Sequence, residues 1–172
     1  MPAPLINRTQ LESAFDVLSE KLVARAAEAT VVLFGDAAMM FAHDARTEIH
    51  HVDAAATPRG QTMGAAREAA QQLDLPLHWF TDERAGSLPK HLDDDIDDLW
   101  VKPNLVVKTL SAELLLAITA LAPNRPEDID DIRTLAASLG ITSSIDVEVL
   151  VAEIYPGRTL GGKARETLDG LL

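Results

Sequence analysis

The sequence predicts an α/β (α+β) fold: a small mixed sheet flanked by helices, followed by a helical C-terminal part. Three observations carry that prediction. The run TVVLFG, 30–35, is apolar and β-branched and stops at a glycine, which reads as a buried strand entering a tight turn. Two further strand-like runs, TEIHHVDAAA at 47–56 and PNLVVKTL at 103–110, are set apart by stretches of helical character. Beyond residue 110 the chain is a series of apolar helical segments broken by turns. The expected division is therefore an α/β core with an N-terminal helix over 1–110 and a helical part over 111–172 packed on it.

Each element has its own signal. Leu11, Phe15, Leu18, Leu22 and Val23 recur at helical spacing within 9–29, and Thr9 with Glu12 has the form of a capping box. After the first strand, DAAMMFAHD forms a short helix with Asp36 at its N-cap and Met39 and Met40 as core filler. Pro58 and Gly60 close the second strand. A helix spans 61–74, and the acidic stretch 91–100 reads as a solvated loop before the third strand. Helices follow over 111–122 and 125–140, the second opened by Pro126 and closed by Gly140. The segments SSIDVEVLVAEIY and GGKARETLDGLL complete the helical part. Trp79 and Trp100, scarce large residues, are expected at the seam between the two halves.

Composition narrows the classes of function. There is no cysteine, which excludes disulfide frameworks, thiolate zinc sites and cysteine nucleophiles. The formal net charge is −12, which argues against a broad nucleic-acid surface and suits a basic protein partner. Neither a signal peptide nor an apolar run of membrane-spanning length is visible, so no membrane association and a cytoplasmic location are expected.

The chemistry concentrates in two segments. Metal-assisted phosphoryl transfer needs hard oxygen ligands for Mg²⁺. Carboxylates two apart on a strand share a face and can hold such a metal. A glycine turn opening a helix offers backbone N–H groups to phosphate. LFGDAA supplies the turn, and HVD supplies a carboxylate pair in which His51 stands at the first position and Asp53 at the second.

Taken together, LFGDAAM (33–39), RTEIHHVDA (46–54), AAQQLDLPLHWFTD (69–82), LLLAITALA (114–122) and EDIDDIRTLAASLGI (127–141) resemble a nucleotidyltransferase-like family. That family is related to the AbiEii-type toxins of bacterial toxin–antitoxin and phage-defence systems. The resemblance covers roughly residues 30–160 and implies a nucleotidyltransferase-like sheet. It assigns nucleotide binding to Gly35 and Asp36, metal binding to His51, Asp53 and Asp128, and catalysis to Asp53 and Asp131. NTP would be the substrate and Mg²⁺ the cofactor of an active member. Three positions depart from the family pattern: Asp36 replaces a glycine, His51 replaces a carboxylate, and Thr119 stands where a lysine is expected. All three weaken the handling of metal and triphosphate.

The expected function is that of a degenerate member acting by binding in a toxin–antitoxin or defence-type context. The alternatives are an active transferase moving a nucleotide from NTP to RNA, tRNA or protein, and a His/Asp transition-metal protein. Structural roles compete at every position. Asp53 could end a strand, and Asp128, Asp130 and Asp131 could simply complement a helix dipole. The run Asp93, Asp94, Asp95, Asp97 and Asp98 lacks the glycine and glutamate of a calcium loop. GRTLGGKA at 157–164 lacks the hydroxyl of a phosphate loop and reads as an interhelical loop.

Overall fold

The computed structural model describes residues 2–92 and 96–172. The protein has an α/β fold in two compact units. The first comprises residues 2–88 and 96–110; the described part of the second comprises residues 89–92 and 111–172.

In the first unit the elements run β1 (Ile6–Asn7), α1 (Arg8–Ala24), β2 (Ala29–Phe34), α2 (Gly35–His43), β3 (Glu48–Ile49), β4 (Val52–Thr57), α3 (Arg59–Leu73), β5 (Phe80–Thr81), β6 (Ile96–Lys102) and β7 (Leu105–Leu110). Five strands form one sheet in the order β5-β4-β2-β7-β6, while β1 and β3 pair separately. The central pair β2/β7 is parallel, as is β4/β5; β2/β4 and β6/β7 are antiparallel. Alternation along the strands gives the sheet two unlike faces. Ala29, Val31, Leu33, Val52, Ala54, Leu105 and Val107 point to one face, where they share a buried cluster with Phe15 and Leu18 of α1 and Ala65 and Ala69 of α3. Asp53, Ala55, Val32 and Lys108 belong to the other.

Several sequence expectations are corrected here. The cap of α1 is Asn7 with Gln10, not Thr9 with Glu12: the Asn7 side chain accepts from the Gln10 N–H, and the Gln10 side chain accepts from the Asn7 N–H, both at 2.9 Å. The chemistry is the same, begun two residues earlier. The segment 47–56 is two strands, β3 and β4, interrupted at His50 and His51. Part of the acidic stretch is strand: β6 carries Asp97 and Asp98, and Asp98 pairs across the ladder with Lys108 at 2.9 Å. Asp93, Asp94 and Asp95 lie outside the described residues. Both tryptophans pack against aromatic residues of the first unit. Trp79 meets Phe15 edge-on at 5.7 Å between ring centres, and Trp100 meets Phe41 at 4.7 Å. Scarce aromatics gather where α1, α2 and the sheet converge, because edge-to-face contact adds to their burial. Met39 and Met40 are buried as expected.

The second unit holds α4 (Ala112–Leu121), α5 (Pro126–Leu139), α6 (Ser144–Ile154) and α7 (Gly162–Leu171). Ser111 and Ser143 cap α4 and α6, and Gly140 ends α5 at φ +67°. Pro126 occupies the start of α5, where its missing N–H costs nothing. Helix α4 packs against α5, α6 and α7. The interhelical loop expected over 157–164 ends sooner: Gly161 is the N-cap of α7 and Gly162 its first helical residue. Among the described residues no single helix is long and apolar enough to cross a membrane.

Candidate functional site

Asp53 is the second residue of β4, and its ladder partner is Phe34, the last residue of β2. The next residue, Gly35, turns the chain into α2 at φ +60°. That conformation favours glycine, and space demands it too: a Cβ at position 35 would lie 3.1 Å from Asp53 Oδ2. The glycine turn and the carboxylate, separate motifs in the sequence, are therefore in close apposition. The N-terminus of α2 receives no side-chain cap. Asp36 is not the N-cap; Phe34 occupies that position, because the turn at Gly35 carries Asp36 into the first helical turn. From there Asp36 pairs with Arg46 at 3.4 Å.

The Asp53 side chain is 6% exposed and is approached by a guanidinium and an imidazole. Arg84 Nη1 lies 3.4 Å from Oδ2, a long and charge-dominated contact. His51 Nε2 lies 3.5 Å from Oδ1. That distance is too great for a ring N–H hydrogen bond, and Oδ1 is buried with no hydrogen-bond partner among the described residues. The Asp53 carboxylate nevertheless holds the His51 imidazole above its ordinary value. Burial opposes this shift, Asp36 adds to it, and Arg84 subtracts from it.

Arg84 gave no signal in the sequence. It sits in DERAGS, a stretch without periodicity, and is brought in by β5, whose two residues Phe80 and Thr81 pair with Val52 and Asp53. A two-residue strand leaves almost no pattern to read. The loop after it is braced: Asp82 forms an ion pair with Arg59 at the start of α3, and Ser87 Oγ donates to the Arg84 carbonyl at 2.7 Å.

The remaining candidates belong to the second unit. Asp128 is committed to capping α5. Its Oδ2 accepts from the N–H groups of Asn124 and Arg125, both at 2.9 Å, and its Oδ1 accepts from Nε and Nη2 of Arg125, both at 3.2 Å. Asp131, one turn further along α5, is buried and has an interaction partner. Thr119 Oγ1 donates to the Leu115 carbonyl at 2.8 Å, the usual resting place of a threonine inside a helix.

Mg²⁺ takes a near-octahedral set of oxygens, anchored here by paired carboxylates if the resemblance holds. Within the first unit, Asp53 offers one oxygen, Oδ1, that accepts no hydrogen bond among the described residues and lies next to an imidazole. Among the described residues no group of three or more His, Asp or Glu side chains gathers so as to hold a metal ion. The donors around Asp53 thus do not fit the paired-carboxylate Mg²⁺ centre. They fit a single cation or hydrogen-bond donor placed against one buried carboxylate oxygen. In comparison with known proteins, no family model, no curated protein and no solved structure matches this chain.

Proposed function

We propose that this chain is a degenerate nucleotidyltransferase-fold protein that acts by binding, in a toxin–antitoxin or defence-type setting. One observation carries the reading. A glycine turn opening a helix closes over the carboxylate of a neighbouring strand, yet the groups facing that carboxylate are a guanidinium and an imidazole instead of a second carboxylate. Phosphoryl transfer depends on positioned positive charge at the phosphates and on metal held by oxygen ligands. Among the described residues, Asp53 pairs with Arg84 and His51. A partner of such a protein would be basic. The net charge is −12, and α6 exposes Ile145 and Val149 on one face beside Asp146 and Glu153.

A second reading, that of an active transferase, is favoured by Asp53 Oδ1, which accepts no hydrogen bond among the described residues, since buried polar atoms ordinarily find one. One experiment separates the two. The protein is incubated with radiolabelled NTPs and Mg²⁺ together with tRNA, total RNA or its own chain as acceptor, and NTP binding is followed by calorimetry with and without EDTA. The binding reading expects NTP binding that survives EDTA and no label transfer. Label transfer abolished by Asp53→Asn establishes the enzyme instead. Failure to bind any NTP under either condition removes the nucleotide from the proposal.

A further inference from the structure

The Asp53 carboxylate is almost wholly removed from water, and a buried charge persists only when it is paired. Its Oδ2 faces Arg84, whose side chain is 58% exposed. The arrangement is asymmetric: a fixed, buried anion meets a long, solvent-reaching cation. The backbone that carries Arg84 is held on three sides. Thr81 is in register with Asp53, Asp82 is tied to Arg59, and the Arg84 carbonyl accepts from Ser87. The guanidinium is thus delivered to Asp53 by a fixed anchor, while its flexible stem lets the head withdraw to water. Oδ1, on the other side of the same carboxylate, has no hydrogen-bond partner among the described residues.

We infer that Arg84 is a built-in counter-cation that occupies, from within the chain, the place beside Asp53 that a divalent metal would take. The inference rests on the degenerate-site reading and adds to it the residue that decides which cation the carboxylate meets. Arg84 compensates one charge on Asp53. An incoming divalent ion must displace it and then sit near a like charge still tethered to the loop. The guanidinium cannot be neutralised near neutral pH, so the exclusion is permanent in the natural chain. Removing the head leaves a buried carboxylate without its guanidinium, beside an imidazole that manganese accepts as a ligand.

The test uses the full chain with Mn²⁺ as the probe, followed by the electron paramagnetic signal of free ion and by calorimetry. The natural protein, Arg84→Gln, Arg84→Ala and the double variant Arg84→Gln/Asp53→Asn are compared. Arg84→Gln and Arg84→Ala are expected to bind one Mn²⁺ at least about tenfold more tightly than the natural chain, the consequence of removing one like charge a few ångströms away. Adding Asp53→Asn is expected to abolish the gain. The inference is overturned if both Arg84 variants bind Mn²⁺ no better than the natural chain, or if the gain survives Asp53→Asn. ATP binding in EDTA is measured on the same samples. ATP bound without an Mn²⁺ gain overturns the counter-cation and leaves the nucleotide reading standing. An Mn²⁺ gain without ATP binding overturns the nucleotide reading and leaves the counter-cation standing.

Discussion

At His51 the character of the site reduces to one side chain. A carboxylate at this position would add repulsion to the buried Asp53; an imidazole adds attraction whenever it carries a proton. Asp53 is the main cause of its raised value, Asp36 adds charge in the same sense, and Arg84 opposes both. The linkage follows in sign. The folded value lies above the unfolded one, so the stabilisation by the pair is complete below the ordinary value of 6.5 and fades as pH rises through the folded value. His51→Gln is therefore expected to lower the urea midpoint most near about pH 5.5 and least near about pH 8. NMR titration should place the natural imidazole above its ordinary value, and Asp53→Asn should return it there. A midpoint gap that widens with rising pH contradicts the pairing. The imidazole is 40% exposed, so the effect is small. Of this site, Asp53, His51 and Gly35 were legible in the sequence because a strand pattern and a glycine turn mark them. Arg84 was not, because a side chain that arrives from an irregular loop leaves no periodic trace.

Helices and strands differ in how much of their structure is local, and Asp128 shows how a local signal can be given two meanings. An acidic residue in the first turn of α5 fits both a metal ligand and a helix cap. Four accepted hydrogen bonds decide for the cap. Asp128→Ala is expected to destabilise the protein by about 2 kcal/mol in urea denaturation, as the loss of a cap made of charged hydrogen bonds does. It should leave Mn²⁺ and ATP binding unchanged; a loss of either without a loss of stability would return Asp128 to the metal set. The ends of α4, α5 and α6 were readable from Ser, Pro and Gly because capping is settled within four residues. Strand β6 was misread because Asp97 and Asp98 lower strand propensity. As an edge strand it tolerates them, since charges on an edge discourage pairing with other chains. Lys108 on β7 then supplies the cross-strand partner for Asp98, a pairing invisible until the hairpin is formed.

For the molecule as a whole, the sequence offered strands without their order. The sheet order β5-β4-β2-β7-β6 puts β7 beside β2, although α2, α3 and four other strands lie between them in the chain. Periodicity shows that Val107 and Val31 belong to buried faces; it does not show that they are ladder partners. That long-range parallel pairing is where the fold of the first unit is decided, and two valines on one hairpin test it. Val107 is fully buried in the interior strand β7, opposite Val31, while Val101 on edge strand β6 is 80% exposed. By propensity alone the two are equivalent. In the full chain, Val107→Asp buries an unpaired carboxylate in the apolar cluster on the covered face of the sheet, at an expected loss of about 3–5 kcal/mol, a large part of the net stability of a domain of this size. Val101→Asp places the same charge in water and should change stability by less than about 0.5 kcal/mol. Urea denaturation followed by near-ultraviolet circular dichroism reads both, because Trp79 and Trp100 lie in the first unit and report on its packing. Equal losses from the two variants would mean that β7 is not an interior strand of the sheet. A large loss from Val107→Asp alone places the β2–β7 pairing, and with it the frame on which Gly35 and Asp53 meet, at the core of the first unit.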